Sequence, residues 1–418
     1  MNYFNKRFVL KYILFLLLCL GSFVEGESSV RLGVDVFFSD GVANSLKGKN
    51  VGLITNHTGV SSDLALTYEL FLQNTNGFHV KAIFSPEHGL FGQEQADKSC
   101  TDHTLKQKVP VLSLYGATQR PTDKMLQDID VLIYDIQDVG SRPYTYATTL
   151  YYVMEEAAKR GIEVMVLDRP NPLGGKMIDG PMLEEGVRSF VGYIDVPYCH
   201  GLTIGELARY FNGEYKVRCN LKVIPMKGWK REMLFQDTGL SWIPTSPHIP
   251  EANTPLFYAT TGLIGELGFL SIGIGSTLPF KMVGAPWIDA QALADQLNAQ
   301  KFPGAHFVPF HFKPLYGLYK GEECQGVLIV VLDRFVYMPV KSQHLILGMI
   351  KTMYPKIVEK RLAALTKSKR KLFSHAAGGD EILSIFCQEK YPAWKMIEHQ
   401  SDKRQLFSEK RKKYLLYN

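Results

Sequence analysis

The sequence predicts an α/β protein: a Rossmann-like parallel sheet domain followed by a second, smaller α+β C-terminal domain. Two observations carry this. Short runs of β-branched and aromatic residues alternate with stretches of helical periodicity from Val51 to about residue 230, the pattern of a parallel sheet covered on both faces. A Pro-rich passage from Ile243 to Pro255 then breaks the alternation. We therefore expect a leader over residues 1–26, a first domain over 31–240, and a second over 250–418 that ends in a basic helical tail.

The elements follow in order. Val51 to Thr55 is a strand, closed by Asn56-His57-Thr58-Gly59. Asp63 to Leu72 places Leu64, Tyr68 and Phe71 at helical spacing. Val80 to Phe84 is a strand that must stop at Pro86, which lacks a backbone donor. Val109 to Tyr115 is a strand, and a short helix starts at Thr122. Val131 to Tyr134 is a buried strand; Tyr144 to Arg160 is a helix ended by Gly161. Glu163 to Leu167 is a further strand. Thr203 caps a helix to Phe211 with Glu206 three residues on, a capping box. Leu221 to Met226 completes the first sheet. In the second domain we expect a Gly-rich stretch over Gly262 to Gly275, a strand from Gly326 to Leu332, and a helix from Ser342 to Met353.

At 418 residues, with 46% apolar and 21% charged, the chain can bury a sizeable core. Lys6, Arg7 and Lys11 precede an apolar run from Tyr12 to Leu20, followed by small or polar residues from Gly21 to Gly26. This reads as a secretory signal peptide cleaved near Ser22–Gly26, too short to span a membrane. We expect a secreted or periplasmic protein with no stable membrane insertion after cleavage; Leu18 before Cys19 argues against a lipoprotein. The remaining cysteines (Cys100, Cys199, Cys219, Cys324, Cys387) are odd in number and widely spread, which fits neither a disulfide framework nor a zinc site. Asp35, Asp97, Asp102 and His103 have no spacing that calls for a metal. From Pro355 onward fifteen Lys/Arg face seven Asp/Glu. Export makes nucleic acid an unsuitable partner for that surplus; a solvated helical face, or an anionic envelope polymer, suits it better.

Candidate chemistry gathers at the strand ends of the first domain: Asn56; Glu87 and His88; Asp135, Asp138 and Arg142; and Asp168, Arg169 and Asn171. Strand ends on one rim of a parallel sheet converge, and that rim binds ligands. Glu87 and His88 also have a plainer reading, as a turn cap and a solvated loop residue. Carboxylates serve as general acid, base or nucleophile, and glycosidic hydrolysis typically uses two. Arg142 and Arg169 offer forked donors for a carboxylate or phosphate, or pair with Asp138 or Asp168 and fix the loop. Tyr144 and Tyr146 can form a stacking wall. No Walker loop, G-x-S-x-G elbow, H-E-x-x-H or first-strand G-x-G-x-x-G is present. No cofactor is called for.

Several of these stretches resemble motifs of the exo-β-N-acetylmuramidases of peptidoglycan turnover. They are Thr55-Asn-His-Thr-Gly59, Phe84-Ser-Pro-Glu-His-Gly89, Tyr134-Asp-Ile-Gln-Asp-Val-Gly-Ser-Arg-Pro-Tyr-Thr-Tyr146 and Leu167-Asp-Arg-Pro-Asn-Pro-Leu-Gly-Gly175. His200-Gly-Leu-Thr203, Trp242 to Pro247 and Gly284-Ala-Pro-Trp287 belong with them, so the resemblance runs from about Arg31 to the end. It implies a site in a cleft between two domains, release of terminal N-acetylmuramic acid from non-reducing glycan ends, and a catalytic glutamate at Glu87. His88, Asp135 and Asp168 are then candidates to orient Glu87 or supply the other carboxylate. Asn56, Asp138, Tyr144, Tyr146, Asn171, His200 and Glu266 would contact peptidoglycan-derived sugar, with Arg142 and Arg169 on the lactyl carboxylate. One departure stands out: Ser271-Ile-Gly-Ile-Gly-Ser276 has Ile274 where many relatives carry arginine. A non-catalytic envelope protein binding muropeptides in the same cleft is the alternative reading.

Overall fold

The structure, a computed structural model, describes residues 30–94, 98–105 and 107–418. The leader, Cys19 and Asp97 lie outside those residues. Among the described residues the larger sheet has seven strands: β1 (Asn50–Thr55), β2 (His79–Ser85), β3 (His103–Thr104), β4 (Pro110–Ser113), β5 (Val131–Asp135), β6 (Glu163–Leu167) and β7 (Leu221–Ile224). They lie in the order β3-β4-β2-β1-β5-β6-β7, all parallel except β3 on β4. Leaving out β3, the parallel strands run 3-2-1-4-5-6, the doubly wound order, with the reversal between β1 and β5. Thr55 and Asp135 are partners in register there, which sets two strand ends side by side.

Central strands buried on both faces read as unbroken apolar runs, and β5 is buried along its whole length. Successive residues still point to opposite faces. Leu53, Ile83 and Ile133 pack with Phe37, Phe71 and Phe78 on one side. Ile54, Phe84 and Tyr134 enter a core on the other side that continues without a break into the C-terminal half. The helices of the first half are α1 (Gly33–Ser39), α2 (Thr67–Leu72), α3 (Tyr146–Arg160) and α4 (Ile204–Glu214). Gly161 caps α3 in the left-handed conformation. The Thr203–Glu206 capping box is present on α4 in both directions.

Three expectations change. α2 begins only at Thr67, because Val60 and Leu66 bridge and Ser61 bonds Ala65 through backbone and side chain. The stretch after Thr122 is a run of turns, not a helix. The Gly-rich stretch begins inside a helix, α5 (Thr254–Glu266), with Pro255 in its first turn. Being apolar on nearly every side it is a core helix, and Gly265 lets Ile272 approach.

Beyond α5, the smaller sheet is antiparallel in the order β8-β10-β9, formed by β8 (Met282–Ala285), β9 (Ala305–Phe312) and β10 (Cys324–Val331). The remaining helices are α6 (Ala290–Ala299), α7 (Pro339–Met353), α8 (Pro355–Ala363), α9 (Lys367–Ala377), α10 (Glu381–Gln388), α11 (Ala393–Glu398) and α12 (Ser401–Lys410). No described helix is long and apolar enough to cross a membrane.

Lys403, Lys410, Lys412 and Lys413 of the basic tail are exposed, but the last residues of the chain bond to the first half. After α12, Arg411 donates to the carbonyls of His200 and Gly201 at 2.9 and 2.6 Å. Leu416 N–H reaches Glu206 at 2.8 Å. The Tyr417 hydroxyl donates to Asp168 Oδ2 at 2.6 Å and accepts from Met226 N–H at 2.9 Å. The chain's end is thus clasped to the far edge of the first sheet. Tyr417→Phe leaves the Met226 N–H without its partner and removes one donor from a buried carboxylate. We expect a loss of about 1–3 kcal/mol, read as a lower urea midpoint at unchanged slope; an unchanged midpoint would show that the clasp is marginal.

Candidate active site

β2 is buried over Ala82–Ser85 and ends at Pro86, as its missing donor requires. A tight turn follows, closed by Gly89 N–H on the Pro86 carbonyl at 3.0 Å. His88 stands at φ 70, a left-handed conformation uncommon outside glycine. This turn buries Glu87 and His88 together at the sheet's rim. The Thr145 hydroxyl, at the N-cap of α3, donates to Glu87 Oε2 at 2.6 Å. His88 Nδ1 lies 2.7 Å from the Glu94 carbonyl; a carbonyl only accepts, so Nδ1 is the donor.

A cavity of about 530 Å³ lies at the seam between the two halves; Glu87 is not part of its lining, but its charge acts on Tyr258 of the wall. Pro143, two residues before Thr145, and Tyr198 line it from the first half; Tyr258 and Glu266 of α5 and Lys369 of α9 line it from the second. Burial raises the Tyr258 and Tyr146 hydroxyls well above the ordinary phenol range, and the charge of Glu87 adds to both. His248, also on the cavity wall, is held below the usual imidazole range by burial and by His88, and its Nε2 lies 3.2 Å from the Tyr316 hydroxyl. The cavity is therefore walled largely by neutral rings, with the Glu266 carboxylate and the Lys369 ammonium on the wall from the second half.

The other strand-end residues meet one another instead. Asp135 is fully buried; it takes Arg169 Nε at 2.6 Å and Nη2 at 2.8 Å, and the Thr67 hydroxyl at 2.5 Å. Arg169 gives Nη2 to the Val60 carbonyl at 2.7 Å as well. Asp168 receives Tyr417, Thr203 and the amides of Gly205 and Arg169, and burial pushes its carboxyl up to about 6. Arg142 donates to the carbonyls of Pro181, Val196 and Ala376. All four are engaged by the protein itself: Asp135 and Asp168 accept from protein donors, and Arg142 and Arg169 donate to protein acceptors.

The remaining residues divide. Asn56 Oδ1 accepts from Thr58 N and Oγ1 at 3.0 and 2.6 Å, a local turn bond. Asn171 fixes its own loop through Leu202 O and Leu173 N. His200 is buried, accepts from Leu202 N at 3.1 Å, and is lowered to about 3 by burial, Arg411 and Arg142, so it is a neutral framework ring. Asp138 Oδ1 accepts from the Gly140 amide at 2.7 Å, and burial pushes the carboxyl up to about 7. Tyr144 packs edge-on between Tyr146 and Tyr258, at 4.9 and 6.0 Å. Tyr146 donates to Thr245 O at 2.7 Å. Glu266 is on the cavity wall. Sequence reasoning did not single out Thr145, His248, Tyr258 or Lys369. Thr145 had a signal, a Thr at the start of a helix inside a named motif. Tyr258 was hidden with its helix.

The comparisons decide the family. The descriptions "Exo-beta-N-acetylmuramidase NamZ, N-terminal" and "C-terminal" match residues 51–253 and 256–417. The chain belongs to the NamZ exo-β-N-acetylmuramidase family. It is 40% identical over 392 residues to the peptidoglycan beta-N-acetylmuramidase NamZ of Bacillus subtilis (strain 168), covering 94% of this chain and 92% of that relative. Two solved DUF1343 family proteins from Bacteroides fragilis share the fold. One superposes with a TM-score of 0.85 at 40% identity, covering 93% of this chain and 99% of the other. The second gives 0.70 at 28% identity, covering 94% and 99%. The chain is thus a glycoside hydrolase of that family, on the predicted α/β fold.

The framework assignment of Arg169 has a measurable consequence. Arg169→Met strands Asp135 as a buried charge, and breaking such a pair typically costs about 3–5 kcal/mol. We expect chemical denaturation to register that loss. A variant of wild-type stability with a raised KM would instead return Arg169 to the substrate.

Proposed function

We propose that this chain removes terminal N-acetylmuramic acid from the non-reducing ends of peptidoglycan fragments. The supporting observation is Glu87, a buried carboxyl held by Thr145 and acting electrostatically on Tyr258 of a sugar-sized cavity, in a chain 40% identical to a peptidoglycan beta-N-acetylmuramidase. Glu87 acts as the general acid: its proton goes to the glycosidic oxygen as the bond to the anomeric carbon breaks, and water supplies the hydroxyl that replaces it. Glu266, entering the cavity from α5, is our choice for the second carboxylate. Tyr144 and Tyr258 supply the aromatic wall.

Glu87→Gln keeps the hydrogen bond from Thr145 and loses the proton. General acid–base catalysis contributes roughly 10²–10⁴-fold, so kcat on an aryl β-N-acetylmuraminide should fall by that order. A wild-type protein that binds muropeptides and returns them uncleaved would be a binding protein instead.

The proposal includes export. Its support is the Tyr12–Leu20 apolar run behind three basic residues. Mass spectrometry of the chain from its native envelope should find an N-terminus near Ser22–Gly26; a lipid on Cys19 would overturn this.

A further inference from the structure

Lys369 sits in the first turn of α9 and lines the active-site cavity with Leu372 and Ala376 of the same helix. Its ammonium lies against Gly268, where φ is +69 and an added Cβ would come within 2.0 Å of Lys369 Nζ. A glycine there meets the backbone's need and leaves the lysine its path. No hydrogen bond or ion pair of that ammonium is found among the described residues.

The position is electrostatically costly. Lys367, Lys369 and Arg370 open α9 with no acidic residue in its first turn, at the end where the helix dipole disfavours positive charge. A local rule broken at a cavity wall points to a use for the charge. Two other sources of positive charge near the cavity are not open to ligand. Arg142 has its Nη1 and Nη2 groups on protein carbonyls, one of them Ala376 O at the end of α9. His248 is kept neutral by its burial. Beside Lys369, the cavity wall carries an apolar patch of Ile272, Ile274 and Leu372.

N-acetylmuramic acid differs from N-acetylglucosamine by a lactyl ether, which bears one carboxylate and one methyl group. We propose that Lys369 is a specificity-determining residue that binds the lactyl carboxylate, while the Ile272–Ile274–Leu372 patch takes the methyl. This rests on the hydrolase activity proposed above. Arg142, by pinning the end of α9 to the first half, is a positioning residue for that contact.

The test compares wild type, Lys369→Met and Lys369→Arg on an aryl β-N-acetylmuraminide and on its lactyl methyl ester. Losing a charge-assisted contact costs about tenfold or more. Lys369→Met should therefore raise KM for the acid by at least about tenfold with kcat little changed. Its KM for the ester should equal that of wild type, and Lys369→Arg should recover most of the affinity for the acid. Equal losses on acid and ester, or an unchanged KM for the acid, overturn the assignment while leaving the hydrolase reading intact. A wild-type protein inactive on both substrates overturns the two together. Lys369 is exposed, and matched melting temperatures of the variants confirm that folding is not what changed.

Discussion

The buried pair of Arg169 and Asp135 governs how the rest of the rim is arranged. It stands where strand order reverses, the crevice in which doubly wound sheets ordinarily admit a ligand. Here the protein fills the crevice itself. Burying two ions costs several kcal/mol each, and only close geometry with further hydrogen bonds offsets it. Asp135 has both: two bonds from the guanidinium and one from the Thr67 hydroxyl. The Val60 carbonyl accepts a second bond from Nη2 of the same guanidinium. The ends of β5 and β6 and the loop leading into α2 are thereby fixed to one another.

With that crevice closed, the open site lies beyond it, at the end of β2 and against the C-terminal half. Glu87 is held by Thr145 at the start of α3, and its charge reaches Tyr258 of α5 in the other half. Such a site requires the halves to keep their spacing. One apolar core runs through both, Arg142 ties the end of α9 to the first half, and the last residues of the chain clasp α4 and β6.

Much of this was legible in the sequence. The strands of the first sheet, the Gly161 stop and the Thr203 capping box each follow from one local rule, and tertiary contacts agree with them. The turn holding Glu87 was legible because Pro86 ends a strand wherever it falls. What the sequence did not show is that several of the rim residues bond to one another. Polar residues at neighbouring strand ends do converge, but opposite charges that converge neutralise one another, and Asp135 with Arg169 did so. Sequence carries no sign of which carboxylate finds an internal partner. The helix over Thr254–Glu266 was missed for another reason: its apolar surface leaves no amphipathic period, and its glycines imitate a loop.

Local costs are not scattered evenly over the molecule. His88 holds a left-handed backbone beside Glu87. Asp138, whose charge acts on Tyr144, has a carboxyl raised to about 7 because burial removes its water and Oδ2 finds no partner among the described residues. Lys369 places its charge at the wrong end of a helix. The backbone of His88 and the carboxyl of Asp138 would relax if the surrounding structure allowed it; Lys369, and His248 on which His88 acts, stand on the wall of one cavity. Strain of this kind persists only where neighbouring packing over-determines it, and the core shared by the two halves provides that packing. The framework of Arg169, Asp135, Asp168 and Arg142 is therefore not idle ballast around the site. It is what lets a few unfavourable arrangements face the cavity without the fold yielding to them.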